Sequence, residues 1–384
     1  MSRGRTDKEN VSLGGAPPLR SRQQAGLATG PIDADPVGAL CADLEGDAFK
    51  GLWLIQGLAD APPVAEPWVW RWKLIRRYLD RAGEVMSLAD SPVRRALLLW
   101  NPSARDHWDA TNTLTAAVQM MMPGETVTTH RHIHSAMRFI THGKGATTTV
   151  NGERISLGVG DLVLTPNWHW HDHANESSEP VIWMDGLDRT LVKLLDAIYF
   201  EVYPGGGYQP VTHTSAGPVD GQAPDFRQAP GGTDTSRFSP QFAYRWEDTW
   251  KKLRDLEKRG HASPFDDVVS EFRNPVNGGH VTPTMGCVIQ MLRPGVHTLA
   301  HQHSSSAVYH VFRGRGWSVI GGKRYDWSEG DYLALPGRVW HEHANASASE
   351  PAILFSITDV PAFEALALLR EQAYTLNGGR QQEG

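Results

Sequence analysis

Through the middle of the chain, apolar and polar positions alternate in short runs set between Gly, Pro and Asn. That is the period of antiparallel strands. Val93-Arg94-Arg95-Ala96-Leu97-Leu98-Leu99-Trp100 reads as a strand stopped by Asn101-Pro102, and Thr111 to Met122 as another. Thr147-Thr148-Thr149-Val150 and Arg154-Ile155-Ser156-Leu157 flank Asn151-Gly152, a pair that predicts a two-residue hairpin turn. Elsewhere the period lengthens towards that of a helix. Helical signals dominate from Val37 to Met86, where Pro67 suits the first turn of a helix running from Trp68 to Leu79. Helices are also expected over Leu187 to Phe200, over 245–259 and over Pro361 to Tyr374. Residues 1–36 are polar and without period, which predicts a disordered arm. The Gly- and Pro-dense stretch from Pro204 to Pro240 reads as a linker, or as a segment wrapped over the first half.

The strand pattern carries a histidine constellation. Pro123-Gly124-x5-His130-Arg131-His132 is followed by Gly160-x5-Pro166-x4-His171-x3-Asn175. Side chains in a strand alternate between faces, so His130 and His132 point the same way. A third imidazole from a second strand completes a metal site with open positions. Then the half repeats. Pro294-Gly295-x5-His301-Gln302-His303 and Gly330-x5-Pro336-x4-His341-x3-Asn345 keep the same internal spacing. His301 lies 171 positions after His130, and His341 lies 170 after His171. Such periodicity fixes architecture more firmly than local propensity: two β-barrels, all-β dominated, with flanking helices.

Composition narrows the function classes. The 384 residues suffice for two cores, and a formal net charge of −6 argues against a nucleic-acid surface. Two cysteines, Cys41 and Cys287, give no disulfide framework, so a reducing cytoplasm is the expected setting. No run of eighteen apolar residues predicts a membrane span.

The two motifs in series are similar to those of the cupin superfamily, and their duplication makes a bicupin, a pair of antiparallel barrels. The usual first motif carries a glutamate after the His-x-His pair. Here Arg138 occupies that region in the first half and Tyr309-His310 in the second. That loss, with His130-Arg131-His132-x5-Arg138-Phe139, Trp168-His169-Trp170-His171-Asp172-His173 and Trp183-Met184-Asp185-Gly186, resembles the gentisate and salicylate 1,2-dioxygenases, which include 1-hydroxy-2-naphthoate dioxygenases.

The resemblance implies one Fe(II) per subunit, in the N-terminal barrel, on His130, His132 and His171. It implies an aromatic hydroxy acid and O2 as reactants. The ring would open between the carbons bearing carboxyl and hydroxyl, most commonly gentisate to maleylpyruvate. Salicylate, amino-, nitro- or chloro-substituted salicylates and 1-hydroxy-2-naphthoate are the alternatives. Catalytic roles pass to Arg138, His173, Arg94 and Asp185, with Asp185 orienting His173. Substrate contacts pass to Gln119, Arg138, Arg94 and Trp168, and Thr115 is smaller than the aromatic residue expected there. The resemblance also implies a homotetramer, with no nucleic acid or membrane partner.

The chain then divides into an arm (1–36), a helical segment with the catalytic barrel (37–203), a linker (204–244) and a C-terminal barrel (245–384). The second triad, His301, His303 and His341, keeps a metal-ligand spacing, but Tyr309 and Arg338 stand where the first half has Arg138 and Trp168. The second barrel is therefore read as structural. A manganese oxalate decarboxylase is disfavoured because both motif glutamates are missing. A non-catalytic ligand-binding bicupin is the reading from another class.

Overall fold

The structure is a computed structural model that describes residues 36–50, 52, 65–86, 95–104, 108–215 and 237–383. It separates into two compact units, Met1–Ala61 and Pro62–Gly384. The described part of the first unit holds one helix, Pro36–Gly46. The expected arm, residues 1–36, lies outside the described residues apart from Pro36, which opens that helix.

The second unit is two barrels, each built of two sheets. In the first barrel, Thr115–Met121, Ala136–His142, Leu162–Thr165 and Val181–Leu187 lie in one sheet. Thr126–His132, Ala146–Val150, Glu153–Ser156 and His171–Asn175 lie in the facing one. The second barrel repeats this with Gly286–Leu292, Ala307–Arg313, Tyr332–Leu335 and Ala352–Thr358 facing a sheet that carries His301–His303 and His341–Asn345.

Alternation assigns three cores. Ile140, Val163 and Trp183 fill the first barrel, and Val311, Leu333 and Leu354 fill the second. The opposite faces of the same strands, including Phe139, Met184, Phe312 and Phe355, form a third apolar layer between the barrels. Phe139 and Phe355 stack there with centroids 4.1 Å apart. Strands buried on both faces carry fewer polar positions than the alternation of a one-sided sheet would give. The Asn151-Gly152 turn forms as expected, with φ of 45° and 85°, and Gly321-Gly322 repeats it at 60° and 78°.

Several expected helices are shorter or become strands. Trp68–Trp70 is a strand of the second barrel's sheet, pairing antiparallel with Tyr332–Leu335, and the helix starts only at Trp72 and runs to Val85. Pro67 thus precedes a strand. The first strand of the first barrel's sheet is Arg95–Leu98. Leu187 to Phe200 yields a single short helix, Arg189–Leu194, followed by the strand Phe200–Val202. Pro361 to Tyr374 yields Val360–Ala365 and then the strand Glu371–Ala373. In each case backbone groups find an open sheet edge, so tertiary pairing overrides local helix propensity.

The duplication is wider than the histidine motifs. Trp70-Arg71-Trp72 leads from a strand of the second barrel into Trp72–Val85. Tyr244-Arg245-Trp246 leads from a strand of the first barrel, Ala243–Tyr244, into the helix Trp246–Lys258. Each helix N-terminus is anchored by the aspartate of a second motif. Asp331 accepts from the Trp72 N–H at 2.8 Å and the Arg71 guanidinium at 2.9 Å. Asp161 accepts from the Trp246 N–H at 2.9 Å and the Arg245 guanidinium at 2.7 Å. Carboxylates there satisfy free N–H groups and suit the helix dipole. The preceding glycines are required twice over: Gly160 and Gly330 have φ near +88°, and a Cβ on either would strike Trp246 or Trp72.

The far end of each repeat is matched as well. Gln209 accepts from the Gly152 N–H at 2.9 Å, and Gln381 accepts from the Gly322 N–H at 2.8 Å. The described part of the expected linker therefore packs on the first barrel. His213–Ser215 pairs in parallel with the strand Glu153–Ser156, and residues 216–236 lie outside the described residues.

One surface network makes stability pH-dependent. His280 sits between Glu271 of Val268–Glu271 and Glu364 of Val360–Ala365, donating to both carboxylates. The hydrogen bond to Glu271 is the largest cause that raises its pKa above 6.5, with Glu364 adding to it. A histidine with a raised folded pKa contributes stability fully below the unfolded value, and that contribution is lost as pH rises through the folded value. The melting-temperature gap between wild type and His280→Gln is expected to be widest below pH 6.5 and to narrow above it. A gap independent of pH would remove this network as the cause.

Candidate metal centre

His130 and His132 project from Thr126–His132, and His171 begins the paired strand His171–Asn175, directly opposite His130 in register. All three are buried. One nitrogen from each lies within 4.8 Å of the others, and the ring centroids are 4.3 Å (His130–His171), 4.7 Å (His132–His171) and 5.8 Å (His130–His132) apart.

The backbone fixes which nitrogen converges. Nδ1 of His130 lies 2.8 Å from the Thr128 carbonyl, that of His132 2.6 Å from the His134 carbonyl, and that of His171 2.9 Å from the His169 carbonyl. A carbonyl only accepts, so each Nδ1 carries a proton, which leaves Nε2 as the nitrogen whose lone pair can bind a metal. Burial, then the fields of His132 and His130, and then of Arg138, hold the His171 pKa well below 6.5, so this ring is neutral at physiological pH. Its Nε2 is buried without a hydrogen-bond partner among the described residues. Three neutral, pre-oriented imidazole lone pairs, one of them otherwise unsatisfied, fit a divalent transition metal.

Arg138 lies in the same barrel interior. It is fully buried, donates to the Thr165 hydroxyl at 2.5 Å, and pairs through Nε with Asp185 at 3.2 Å. Arg138 and Asp185 are directly opposed on neighbouring strands, which puts the charges on one face without torsional cost. Asp185 also accepts from the Trp183 indole N–H at 3.2 Å. His173 Nδ1 lies 2.9 Å from the Thr148 hydroxyl, and Asp185 meets Arg138 and the Trp183 indole. Gln119 faces the same interior, opposite Trp183 in register, with its amide oxygen buried and without a partner among the described residues. Thr115 is buried two rows along, bonded to Thr190 at 2.8 Å.

Trp168 supports the ligand strand. It adopts φ of 62°, and its N–H donates to the His132 carbonyl at 2.8 Å. Its indole meets the Arg131 guanidinium 4.4 Å from the ring centroid, and Arg131 points opposite to the flanking histidines. Arg94 lies outside the described residues. Its neighbour Arg95 is buried in an ion pair with Glu125 and donates to the Met86 carbonyl. Arg95 faces away from Gln119, since it pairs with Met120 of the layer between the barrels.

Sequence reasoning missed the supporting residues. Thr129 and Gln209 both donate to Asp172, at 2.6 and 3.0 Å, bracing the strand between His171 and His173 from behind. Thr148 and Thr165 are equally plain in sequence, one within a run of threonines and the other at the end of an apolar strand. Only the signal that each faces inward beside a histidine or arginine could have marked them. The second triad is also assembled: His301, His303 and His341 meet the same convergence limit.

Comparisons with known proteins give the family. The cupin domain family matches twice, over residues 117–187 and 288–358. A 5-aminosalicylate 1,2-dioxygenase of Comamonas sp. is 37% identical over 82% of this chain and 83% of that one. A 1-hydroxy-2-naphthoate 1,2-dioxygenase of Nocardioides sp. is 34% identical over 84% of each. The crystal structure of a salicylate 1,2-dioxygenase from Pseudaminobacter salicylatoxidans superposes with a TM-score of 0.77 at 31% identity, covering 89% of this chain and 99% of that one. The chain belongs to the gentisate and salicylate 1,2-dioxygenase family, the bicupin ring-cleaving dioxygenases.

Proposed function

We propose that this chain opens the ring of an ortho-hydroxylated aromatic carboxylic acid between its carboxyl- and hydroxyl-bearing carbons, using O2 and one catalytic Fe(II) in the N-terminal barrel. The observation that carries the reading is the pairing of a neutral three-histidine centre with a buried arginine in the same interior. Iron on His130, His132 and His171, when bound, supplies the redox chemistry that joins oxygen to the ring. Three neutral imidazoles bring no negative charge, so the centre favours an anionic ligand.

The protein's own groups do the rest. Arg138, fixed by Thr165 and Asp185, pairs with the substrate carboxylate and the negative charge that builds on the ring. His173, its Nδ1 engaged by Thr148, holds or exchanges the proton of the ring hydroxyl through Nε2. Asp185 keeps the buried guanidinium compensated in the resting enzyme. Gln119 presents a buried amide to the pocket. The substrate roles of Trp168 and Arg94 come from the family resemblance alone.

Gentisate leads as substrate on the family's usual activity. The Comamonas relative favours a second reading, a 5-amino-substituted salicylate. Anaerobic reconstitution with Fe(II), followed by oxygen uptake with gentisate, 5-aminosalicylate, salicylate and 1-hydroxy-2-naphthoate, decides between them. Silence with all four would sink the proposal. The reading extends to a homotetramer in the cytoplasm, testable by light scattering and fractionation. Among the described residues no helix is long and apolar enough to cross a membrane.

A further inference from the structure

The second barrel reproduces the metal frame of the first and changes its electrostatics. Its ring centroids are 4.2 Å (His301–His341), 4.8 Å (His303–His341) and 5.6 Å (His301–His303) apart, each within 0.2 Å of the corresponding separation in the first barrel. The backbone locks recur: Nδ1 of His303 lies 2.8 Å from the Ser305 carbonyl, and that of His341 3.0 Å from the Val339 carbonyl. His341 Nε2 is buried without a partner among the described residues, as His171 Nε2 is. Arg338, at φ of 64°, donates its N–H to the His303 carbonyl as Trp168 does to His132. Beside the triad, His343 rests on the Ser318 hydroxyl at 2.7 Å as His173 rests on Thr148. His301 differs: its Nδ1 has no partner among the described residues, and its ring is set edge-on to Phe265 at 5.0 Å.

The groups that would receive an aromatic carboxylate are gone. Tyr309 and Ser356, paired in register, stand where Arg138 and Asp185 pair, and Leu335 stands where Thr165 anchors the guanidinium. Asp266 lies within electrostatic reach of His303 and Tyr309, whereas in the first barrel it is Arg138 whose field reaches His171. An ionised carboxylate within electrostatic reach of three imidazoles strengthens the hold on a divalent cation and repels an anionic ligand.

We propose that His301, His303 and His341 form a second divalent transition-metal site that excludes aromatic carboxylates. It holds metal without supporting ring cleavage. The metal half of this proposal stands apart from the proposed activity; the exclusion half rests on it.

Metal-free full-length protein is titrated anaerobically with Co(II), and bound metal is counted while the visible spectrum is followed. Wild type is expected to bind two equivalents. His132→Ala and His341→Ala should bind one each, and the double variant none. Salicylate should perturb the Co(II) spectrum of His341→Ala and leave that of His132→Ala unchanged. A single equivalent in wild type, which needs no variant to fold, overturns the second site. So does retention of both equivalents in His341→Ala and in His303→Gln. A salicylate response in His132→Ala overturns the exclusion. Silence of wild type towards all four acids in oxygen uptake would leave the metal count readable, so the two readings fail separately.

Discussion

In the His132→Ala variant, turnover of every aromatic acid is expected to vanish together with iron from the first barrel. His132 is locked from both ends. Its Nδ1 is engaged by the His134 carbonyl, and its own carbonyl accepts the N–H of Trp168. Removing the imidazole deletes one of three ligands from an all-histidine set. Loss of a mere outer hydrogen-bond partner typically costs about 10–100-fold in affinity or activity, and loss of a ligand should exceed that. The measurement is iron content after reconstitution and gel filtration, alongside oxygen uptake. Full activity with His132→Ala would remove the first barrel as the reaction site. A variant that keeps one metal equivalent yet is inactive is the expected result if the second barrel holds its own ion.

The metal frame was legible because two periodicities coincide. Strand alternation puts His130 and His132 on one face, and the repeat at 170–171 positions returns the same spacing. Pocket polarity was half legible. The arginine in place of a glutamate could be read from the motif, but its partners are set by register between strands far apart in sequence, so Thr165 and Asp185 emerged as its anchors only in the fold. The helix expected from Trp68 failed at its first turn for a related reason: Trp68–Trp70 completes an edge of the other barrel, and no local window contains that edge. Gln209 shows the same limit. In sequence it is one polar residue in a Gly/Pro-rich stretch, and in the fold it holds a hairpin turn and Asp172 together. Local pattern thus specifies the elements that carry ligands, while the residues that orient them depend on pairing between distant segments.

Arg138→Leu should leave iron bound at the first barrel and lower kcat/KM by about 10²–10³-fold, the scale of losing one preorganised charge-stabilising donor. It should also destabilise the fold, because Asp185 then remains as a buried carboxylate without its cation. Breaking one side of such a pair costs about 3–5 kcal/mol. The two effects can be separated. In Arg138→Leu/Asp185→Asn the uncompensated charge is gone, so the melting temperature should recover most of the loss while kcat/KM stays low. Asp185→Asn alone keeps the guanidinium and should retain more activity than either Arg138 variant. The double-mutant cycle therefore reads coupling in stability and the absence of rescue in turnover. If the double variant regained activity along with stability, Arg138 would be a structural counter-ion to Asp185 and not the group that receives the substrate. If iron left with Arg138, the guanidinium would be supporting the histidine frame, and the division of labour between metal ligands and substrate cation would have to be redrawn.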